Sequence, residues 1–149
     1  MNKKLLVVDD ELHIRMLYQE ELQAEGYIMA TSDGREPIMD VIRRENPDLV
    51  ILDIKLEGNP VTGLDLLQTI RATNSELAVI LSTAYDSFQH DLKSIAADAY
   101  NVKSVDLTGL KDTIKTVLAQ KKGVGCGVAS RQSGSPVRAL HLKMMAKKP

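Results

Sequence analysis

Three short apolar runs, each ending in carboxylates or hydroxyls, constrain the fold of this chain more than any other feature. They are LLVV before Asp9, LVIL before Asp53, and LAVIL before Ser82-Thr83. None of the three alternates apolar with polar residues, which is typical of strands buried on both faces of a parallel sheet. Two weaker runs, at residues 27–31 and 99–102, are predicted as further strands.

Segments with helical periodicity lie between and after these strands, with apolar residues three or four positions apart. Gly26 is a suitable stop for the first helix, and the Asn46-Pro47 pair is a suitable stop for the second. The predicted helices span residues 12–25, 35–45, 64–73, 86–97 and 107–121, of which 86–97 has the weakest pattern. A strand followed by a helix, five times over, predicts an α/β fold with a doubly wound parallel sheet and right-handed crossovers.

The domain organisation follows from length and from a change in composition. The chain has 149 residues, which is enough for one domain. After Lys121-Lys122 the sequence becomes rich in Gly and Ser, so we predict one domain at 1–122 and a flexible basic tail at 123–149. The tail has five basic and no acidic residues, which leaves 14 basic against 20 acidic in the body. Such an acidic body argues against direct nucleic-acid binding.

Nothing in the sequence indicates a membrane or a disulfide framework. Cys126 is the single cysteine, which excludes an intramolecular disulfide and cannot supply a structural zinc site alone. No apolar run approaches the ~18 residues of a membrane span. The first apolar run stops at Asp9, too early for the core of a signal peptide. We therefore expect a cytoplasmic protein without a membrane partner.

The residues that carry chemistry fall at the carboxyl ends of the predicted strands, where open parallel sheets bind ligands. They are Asp9, Asp10, Asp53, Thr83 and Lys103. Converging carboxylates repel one another unless a cation is present, and such oxygen-rich sites suit Mg²⁺. Lysine supplies a mobile positive charge for phosphate, and a hydroxyl can donate a hydrogen bond to a phosphoryl oxygen. The pattern predicts an aspartate that accepts a phosphoryl group with metal assistance.

Four sequence motifs resemble a known family. LLVVDDE, PDLVILDIK, VILSTAY and ADAYNVKSVD closely resemble the receiver domains of two-component response regulators, and the resemblance spans about residues 3–120. It implies a flavodoxin-like (βα)5 fold with strand order 2-1-3-4-5.

The resemblance also implies an acceptor and a set of metal ligands. Asp53 matches the phosphorylated aspartate of the family. Asp10 matches the direct Mg²⁺ ligand, and Asp9 matches its partner, which usually acts through water. The backbone carbonyl of Lys55 matches a further ligand. Mg²⁺ is therefore the expected cofactor.

Three further positions match the switching residues of the family. Thr83 matches the hydroxyl that moves toward the phosphoryl group, and Lys103 matches the lysine that pairs with it. Tyr100 matches the aromatic side chain that swings inward when the threonine moves. Each of these residues also has a purely structural interpretation: a strand end, a solvated lysine and a core aromatic.

The resemblance implies a signalling protein and not a turnover enzyme. We expect it to take a phosphoryl group from a histidine kinase or a histidine phosphotransfer domain. It would then signal to a downstream protein through the face formed by residues 86–97, 99–102 and 107–121. A phosphorylation-dependent homodimer is among the expected partners.

The sequence departs from the family at two places. Lys103-Ser104 stands where the family usually has Lys-Pro, whose peptide bond is commonly cis. A cis bond before serine would cost roughly 3–4 kcal/mol, so the bond is either trans or held under strain. Gly63 lies ten positions after Asp53 instead of the usual eight, a two-residue insertion beside the site.

Two other functional classes remain as alternatives. A phosphatase of the haloacid-dehalogenase type also forms an aspartyl phosphate, but it predicts Asp-x-Asp after the first strand, where this chain has the adjacent pair Asp9-Asp10. A receiver-like binding module regulated without phosphorylation is favoured only by the altered loop and by Ser104.

Overall fold

The computed structural model describes residues 2–56, 61–84 and 96–124. The predicted tail beyond residue 124 lies outside the described residues, as does most of the predicted helix 86–97. The strands are β1 Lys4–Val8, β2 Ile28–Ser32, β3 Leu49–Asp53, β4 Ala78–Thr83 and β5 Ala99–Val102. The helices are α1 Leu12–Ala24, α2 Ile38–Glu45, α3 Gly63–Thr73 and α4 Thr108–Val124.

The five strands form one parallel sheet in the order β2-β1-β3-β4-β5. This order confirms the predicted flavodoxin-like, doubly wound α/β fold. All residues of β3 and β4 are buried, as expected of the two long apolar runs without polar alternation. β2 and β5 are the edge strands and are more exposed.

Helices cover both faces of the sheet and bury one apolar layer on each side. On one face, Tyr18 of α1 and Leu110 of α4 pack with Ile51 and Ile80 of the central strands. On the other face, Val41 of α2 and Leu67 of α3 belong to a second apolar cluster. The site described below lies above both layers, at the carboxyl ends of the strands.

The helix boundaries follow the expected stop signals, with one correction. α1 ends at Ala24, and Gly26 adopts a φ of +101°, a conformation that L side chains rarely adopt. α2 begins at Ile38, three residues later than the predicted start at 35. Pro37 has an extended ψ of 130° as N-cap, and a residue before proline disfavours the helical region. The helix therefore cannot extend back through Glu36.

The C-terminal helix and the backbone after β5 supply two further observations. α4 runs to Val124, two residues beyond the predicted domain boundary. Among the described residues no peptide bond is cis, so the Lys103–Ser104 bond is trans. In the same part of the chain, no helix is long and apolar enough to cross a membrane.

Candidate functional site

Four strand ends bring polar side chains together at one edge of the sheet. Asp9 follows β1, Asp53 is the last residue of β3, Thr83 is the last residue of β4, and Lys103 follows β5. Asp9, Asp53 and Thr83 are buried, each with at most 4% of its surface exposed. Ionisable groups are seldom buried this deeply unless they are paired, so this edge is a site and not an ordinary surface.

Backbone hydrogen bonds fix where these side chains leave the sheet. The amide of Asp9 donates to the Ser32 carbonyl at 3.0 Å, and the amide of Lys103 donates to the Thr83 carbonyl at 2.7 Å. The pairing of β1 with β2 therefore continues to Asp9, and the pairing of β5 with β4 continues to Lys103. Asp9 and Lys103 are held by the rigid sheet rather than by free loops.

Three carboxylates form the acidic part of the site. Asp9, Asp10 and Asp53 each offer a carboxylate oxygen, and these oxygens all lie within 4.8 Å of one another. Asp9 and Asp53 are buried and Asp10 is half-buried. Clustered carboxylate oxygens with room for water are the donor set that Mg²⁺ prefers. The residues present therefore fit a Mg²⁺ ion.

Lys103 joins the acidic groups. Its Nζ lies 2.7 Å from Oδ2 of Asp9, 3.3 Å from Oδ2 of Asp53 and 3.7 Å from Oε1 of Glu11. The lysine side chain is only 12% exposed. Burial by itself would lower the pKa of Lys103, but the Asp9 and Asp53 carboxylates outweigh it and raise this pKa. Lys103 is therefore held as a cation in the site.

Among the described carboxylates, Asp53 has the pKa most strongly shifted by its surroundings. Burial, and next the negative charge of Asp9, raise the pKa of Asp53 to about 7, although Lys103 acts in the opposite direction. A strongly shifted group in a cluster of charges is a typical mark of a functional site. Without a further cation, near-neutral pH leaves part of Asp53 protonated, and a protonated carboxyl is a poor nucleophile.

Gly63 shapes the site in a way that sequence spacing did not reveal. A Cβ at this position would collide with the backbone carbonyl of Asp53 and approach Cα of Ile54 to 2.8 Å. The Gly63 amide donates to the Ile54 carbonyl at 2.7 Å. Thr62 caps α3, with its hydroxyl accepting from the amide of Asp65 at 3.3 Å. The start of α3 thus packs directly against the backbone of Asp53, which only glycine permits.

Glu11, the N-cap of α1, and Arg15 within α1 also contact the site, and neither was predicted as a site residue. The Glu11 amide donates to Oδ1 of Asp9 at 2.9 Å, and Nη1 of Arg15 donates to the Asp9 carbonyl at 2.7 Å. The adjacency of Glu11 to the Asp9-Asp10 pair was the only sequence signal for its role. These contacts orient Asp9 toward the cluster.

Of the predicted switching residues, Lys103 contacts Asp9 and Asp53, whereas Thr83 and Tyr100 lie on the opposite face of the sheet. Tyr100 is 9% exposed and packs in the cluster that includes Leu52 and Leu81. Thr83 is 1% exposed and follows Leu81 by two positions, so its side chain projects to the same face as Tyr100. The side chain of Lys55 is exposed, and only its backbone is a candidate ligand.

Comparisons with known proteins agree with this geometry. A family model described as the response regulator receiver domain matches residues 5–115. The sporulation initiation phosphotransferase F of Bacillus subtilis is 32% identical over 123 residues, which cover 81% of this chain and 98% of that protein. The alkaline phosphatase synthesis transcriptional regulatory protein PhoP of the same organism is 31% identical over 124 residues. This chain spans about half of that regulator, 51% of its length.

Solved structures show the same likeness. The response regulator TrrA of Thermotoga maritima, in complex with Mg²⁺-BeF, has a TM-score of 0.72 and 43% identity over 77% of this chain and 98% of its own. TrrA in complex with the histidine kinase ThkA has a TM-score of 0.71 and the same 43% identity, over 78% of this chain and 98% of its own.

The parallel sheet and its acidic edge therefore define a signalling domain of the two-component class. This chain belongs to the response regulator receiver domain family.

Proposed function

We propose that the chain is a phosphoacceptor receiver in which Asp53 takes a phosphoryl group with the assistance of Mg²⁺. The cluster of Asp9, Asp10 and Asp53, in which the Lys103 ammonium bridges Asp9 and Asp53, carries this proposal. The relative called a phosphotransferase and the Mg²⁺-BeF complex of TrrA support it.

Each acidic residue has a role in this proposal. The side chains of Asp9, Asp10 and Asp53, with the backbone carbonyl of Lys55, would hold the ion. When bound, Mg²⁺ supplies positive charge that offsets the carboxylates and the oxygens of the transferring phosphoryl group. The ionised Asp53 carboxylate is then available as a nucleophile.

The transfer itself is a displacement at phosphorus. An oxygen of the Asp53 carboxylate attacks, a phosphorus–oxygen bond forms, and the bond from phosphorus to an imidazole nitrogen of the donor histidine breaks. The bond's electron pair stays on that nitrogen. Lys103, fixed within 3.3 Å of Asp53, supplies a positive charge beside the new acyl phosphate.

The partners in this proposal are a histidine kinase or histidine phosphotransfer domain as donor and a downstream protein as target. The complex of TrrA with a histidine kinase supports the donor class. Thr83 would move toward the phosphoryl group and Tyr100 would follow it. β5 and α4 would then carry the signal on the exposed face beside them.

Labelling with a small phosphodonor tests the acceptor. Incubation with acetyl phosphate and Mg²⁺ should add one phosphoryl group per chain, visible by intact mass and removed by hydroxylamine. Asp53→Asn should abolish the addition, whereas Asp48→Asn, an exposed carboxylate just before β3, should retain it. Equal labelling of Asp53→Asn would contradict the assignment.

A hydrolysis assay with a generic phosphomonoester, together with the labelling assay, separates the alternatives. A phosphatase would hydrolyse many equivalents of a generic phosphomonoester, whereas a receiver would release at most about one phosphate per chain on the assay timescale. A binding module that works without phosphorylation would show no acyl phosphate even in the wild-type protein.

A further inference from the structure

A small polar cluster lies buried on the sheet face that α1 and α4 cover. It consists of Tyr18, Ser82 and Asn101, which we call the support cluster. Tyr18 is 1% and Ser82 2% exposed, and Asn101 is half-buried. The hydrophobic residues on this face pack into one cluster beside it. Polar groups in an apolar layer cost stability unless they are hydrogen-bonded, so their presence requires a physical reason.

Strand register places this cluster directly beside the acidic site. Asp53 of β3 pairs with Ser82 of β4, and Ser82 pairs with Asn101 of β5. The three side chains therefore form one row across the sheet. Nδ2 of Asn101 donates to Oγ of Ser82 at 3.2 Å. Lys103 follows Asn101 by two positions and thus projects to the same face.

Tyr18 completes the cluster from α1. Its hydroxyl faces Ser82 and Asn101. The same hydroxyl is close enough to Lys103 and Asp9 to interact electrostatically with both. Burial, the largest effect, raises the pKa of Tyr18. Ser82 and Asn101 lie close enough to interact with this hydroxyl, but among the described residues neither forms a hydrogen bond of full geometry with it. A buried hydroxyl that is incompletely satisfied lowers stability, and such costs are typical of residues retained for function.

The backbone of Lys103 is attached to the sheet on one side, through β4. β5 has only four residues and is an edge strand that pairs with β4 alone. Ser104 follows Lys103 and does not restrict the backbone as a proline would. The Asn101–Ser82 hydrogen bond is therefore a side-chain link that ties the end of β5 to β4, just before Lys103 leaves the sheet.

We propose that Tyr18, Ser82 and Asn101 are positioning residues that hold the Lys103 ammonium between the carboxylates of Asp9 and Asp53. This inference rests on the proposed function for its effect on phosphorylation. Its effect on metal binding does not depend on phosphorylation.

Two consequences of opposite direction follow. Lys103 and Mg²⁺ are cations that share the Asp9 and Asp53 carboxylates, so a loosened Lys103 competes less and Mg²⁺ binds more tightly. The same loosening misplaces the charge needed beside the phosphoryl group, so phosphorylation slows. A general loss of structure would instead weaken both metal binding and phosphorylation.

The experiment compares Tyr18→Phe and Asn101→Leu with the wild type. Tyr18→Phe removes one oxygen and keeps the ring, and Asn101→Leu removes the amide at similar volume. Tyr27→Phe is the matched control, because Tyr27 precedes β2 at the opposite end of the sheet. Mg²⁺ affinity is measured by calorimetry with MgCl2 alone, phosphorylation rate with saturating acetyl phosphate and Mg²⁺, and Tm by thermal unfolding.

We expect both cluster variants to phosphorylate about 3- to 10-fold more slowly and to bind Mg²⁺ about 2- to 3-fold more tightly, with the Tm of Tyr18→Phe not lowered. Tyr27→Phe should match the wild type in phosphorylation rate and in Mg²⁺ affinity.

Two outcomes would overturn the proposal. One is that the cluster variants have rates and affinities within error of the wild type, and the other is that phosphorylation and Mg²⁺ binding both weaken together with a lower Tm. If the wild type takes up no phosphoryl group but Mg²⁺ binding still tightens, the proposed function fails and the positioning of Lys103 stands.

Discussion

At the scale of single residues, the surroundings of Asp53 disfavour its charged form. Its pKa rises from 3.8 to about 7 in the folded protein. Folding therefore favours the protonated form. The contribution to stability is complete below about pH 4, the pKa of the unfolded chain, and is lost as the pH rises through about 7. We expect this group to make the metal-free protein less stable at pH 8 than at pH 5.5.

Urea denaturation in the presence of EDTA measures this effect. Asp53→Asn should remove most of the pH dependence and should be more stable than the wild type at pH 8, by on the order of 2–4 kcal/mol. Asp112→Asn, which removes an exposed carboxylate of α4, should leave the pH dependence unchanged. A wild-type protein equally stable at both pH values would contradict the prediction.

The sequence could predict the charged residues of the site but not their buried support. Asp9, Asp53 and Lys103 stand at the ends of apolar runs, where the fold class alone indicates a binding edge. Tyr18 falls on the apolar stripe of a helix, where it is indistinguishable from a core aromatic. Its environment depends on Asn101, 83 positions later in the chain, and only the tertiary structure brings the two together.

At the scale of secondary-structure elements, α3 is held to β3 by a close backbone approach at Gly63. Gly63→Ala would force its Cβ into the carbonyl of Asp53, and the rigid backbone cannot yield as a side chain would. We expect a loss of about 1–3 kcal/mol in the free energy of unfolding, together with slower phosphorylation of Asp53, because the acceptor must shift.

Gly109→Ala provides the matched control for this substitution. Gly109 lies in the first turn of α4, and a Cβ there would meet nothing within 4 Å. Alanine should therefore stabilise the protein by about 0.5–1 kcal/mol through helix propensity. Equal changes in the free energy of unfolding at the two glycines would show that the contact of Gly63 with Asp53 does not determine the effect of Gly63→Ala.

A second link between elements ties α3 to the segment before β5. Nη2 of Arg71 lies 2.8 Å from Oδ2 of Asp98, and Nε of Arg71 donates to the Ala96 carbonyl at 2.8 Å. Asp98 also accepts from the amide of Val79 at 2.8 Å and pairs with Lys121 at 3.1 Å. Without Arg71, the half-buried Asp98 carboxylate keeps only the Val79 amide and Lys121 among these partners, so Arg71→Ala should cost about 1.5–3 kcal/mol through the lost charged hydrogen bonds.

Chemical denaturation compares this variant with Arg43→Ala. Arg43 pairs with Asp40 on the exposed side of α2, with 65% of the arginine side chain accessible, and its loss should cost less than about 1 kcal/mol. A small effect at Arg71 would mean that Lys121 and water suffice to balance Asp98.

The elements themselves were predictable because their signals are local. Apolar runs indicated the strands, and Gly26 and Pro47 indicated helix ends. The predicted start of α2 at residue 35 was wrong. Pro37 disfavours a helical backbone at Glu36, and the apolar periodicity does not carry that restriction. The pair of Arg71 and Asp98 was not predictable, because it spans 27 positions and depends on the tertiary arrangement of α3 and the start of β5.

At the scale of the whole molecule, the acidic cluster makes the stability of the folded domain depend on Mg²⁺ binding. Asp9, Asp10 and Asp53 concentrate negative charge at one edge of a sheet whose central strands are fully buried. A ligand that binds the folded state alone stabilises it by mass action. At ~100 times its dissociation constant the gain is about 2.7 kcal/mol. We therefore expect Mg²⁺ to raise the Tm of the entire domain.

Asp10→Ala tests where that ion binds, because Asp10 is the half-buried member of the cluster and its loss should perturb folding least. The variant should lose most of the Mg²⁺-dependent rise in Tm, whereas Asp33→Ala, a carboxylate just after β2 and outside the cluster, should retain it. The rise should also shrink at pH 5.5, since protons compete with the metal for Asp53, whose pKa is about 7. A rise in Tm that survives in Asp10→Ala, at either pH, would place the ion elsewhere on the acidic surface.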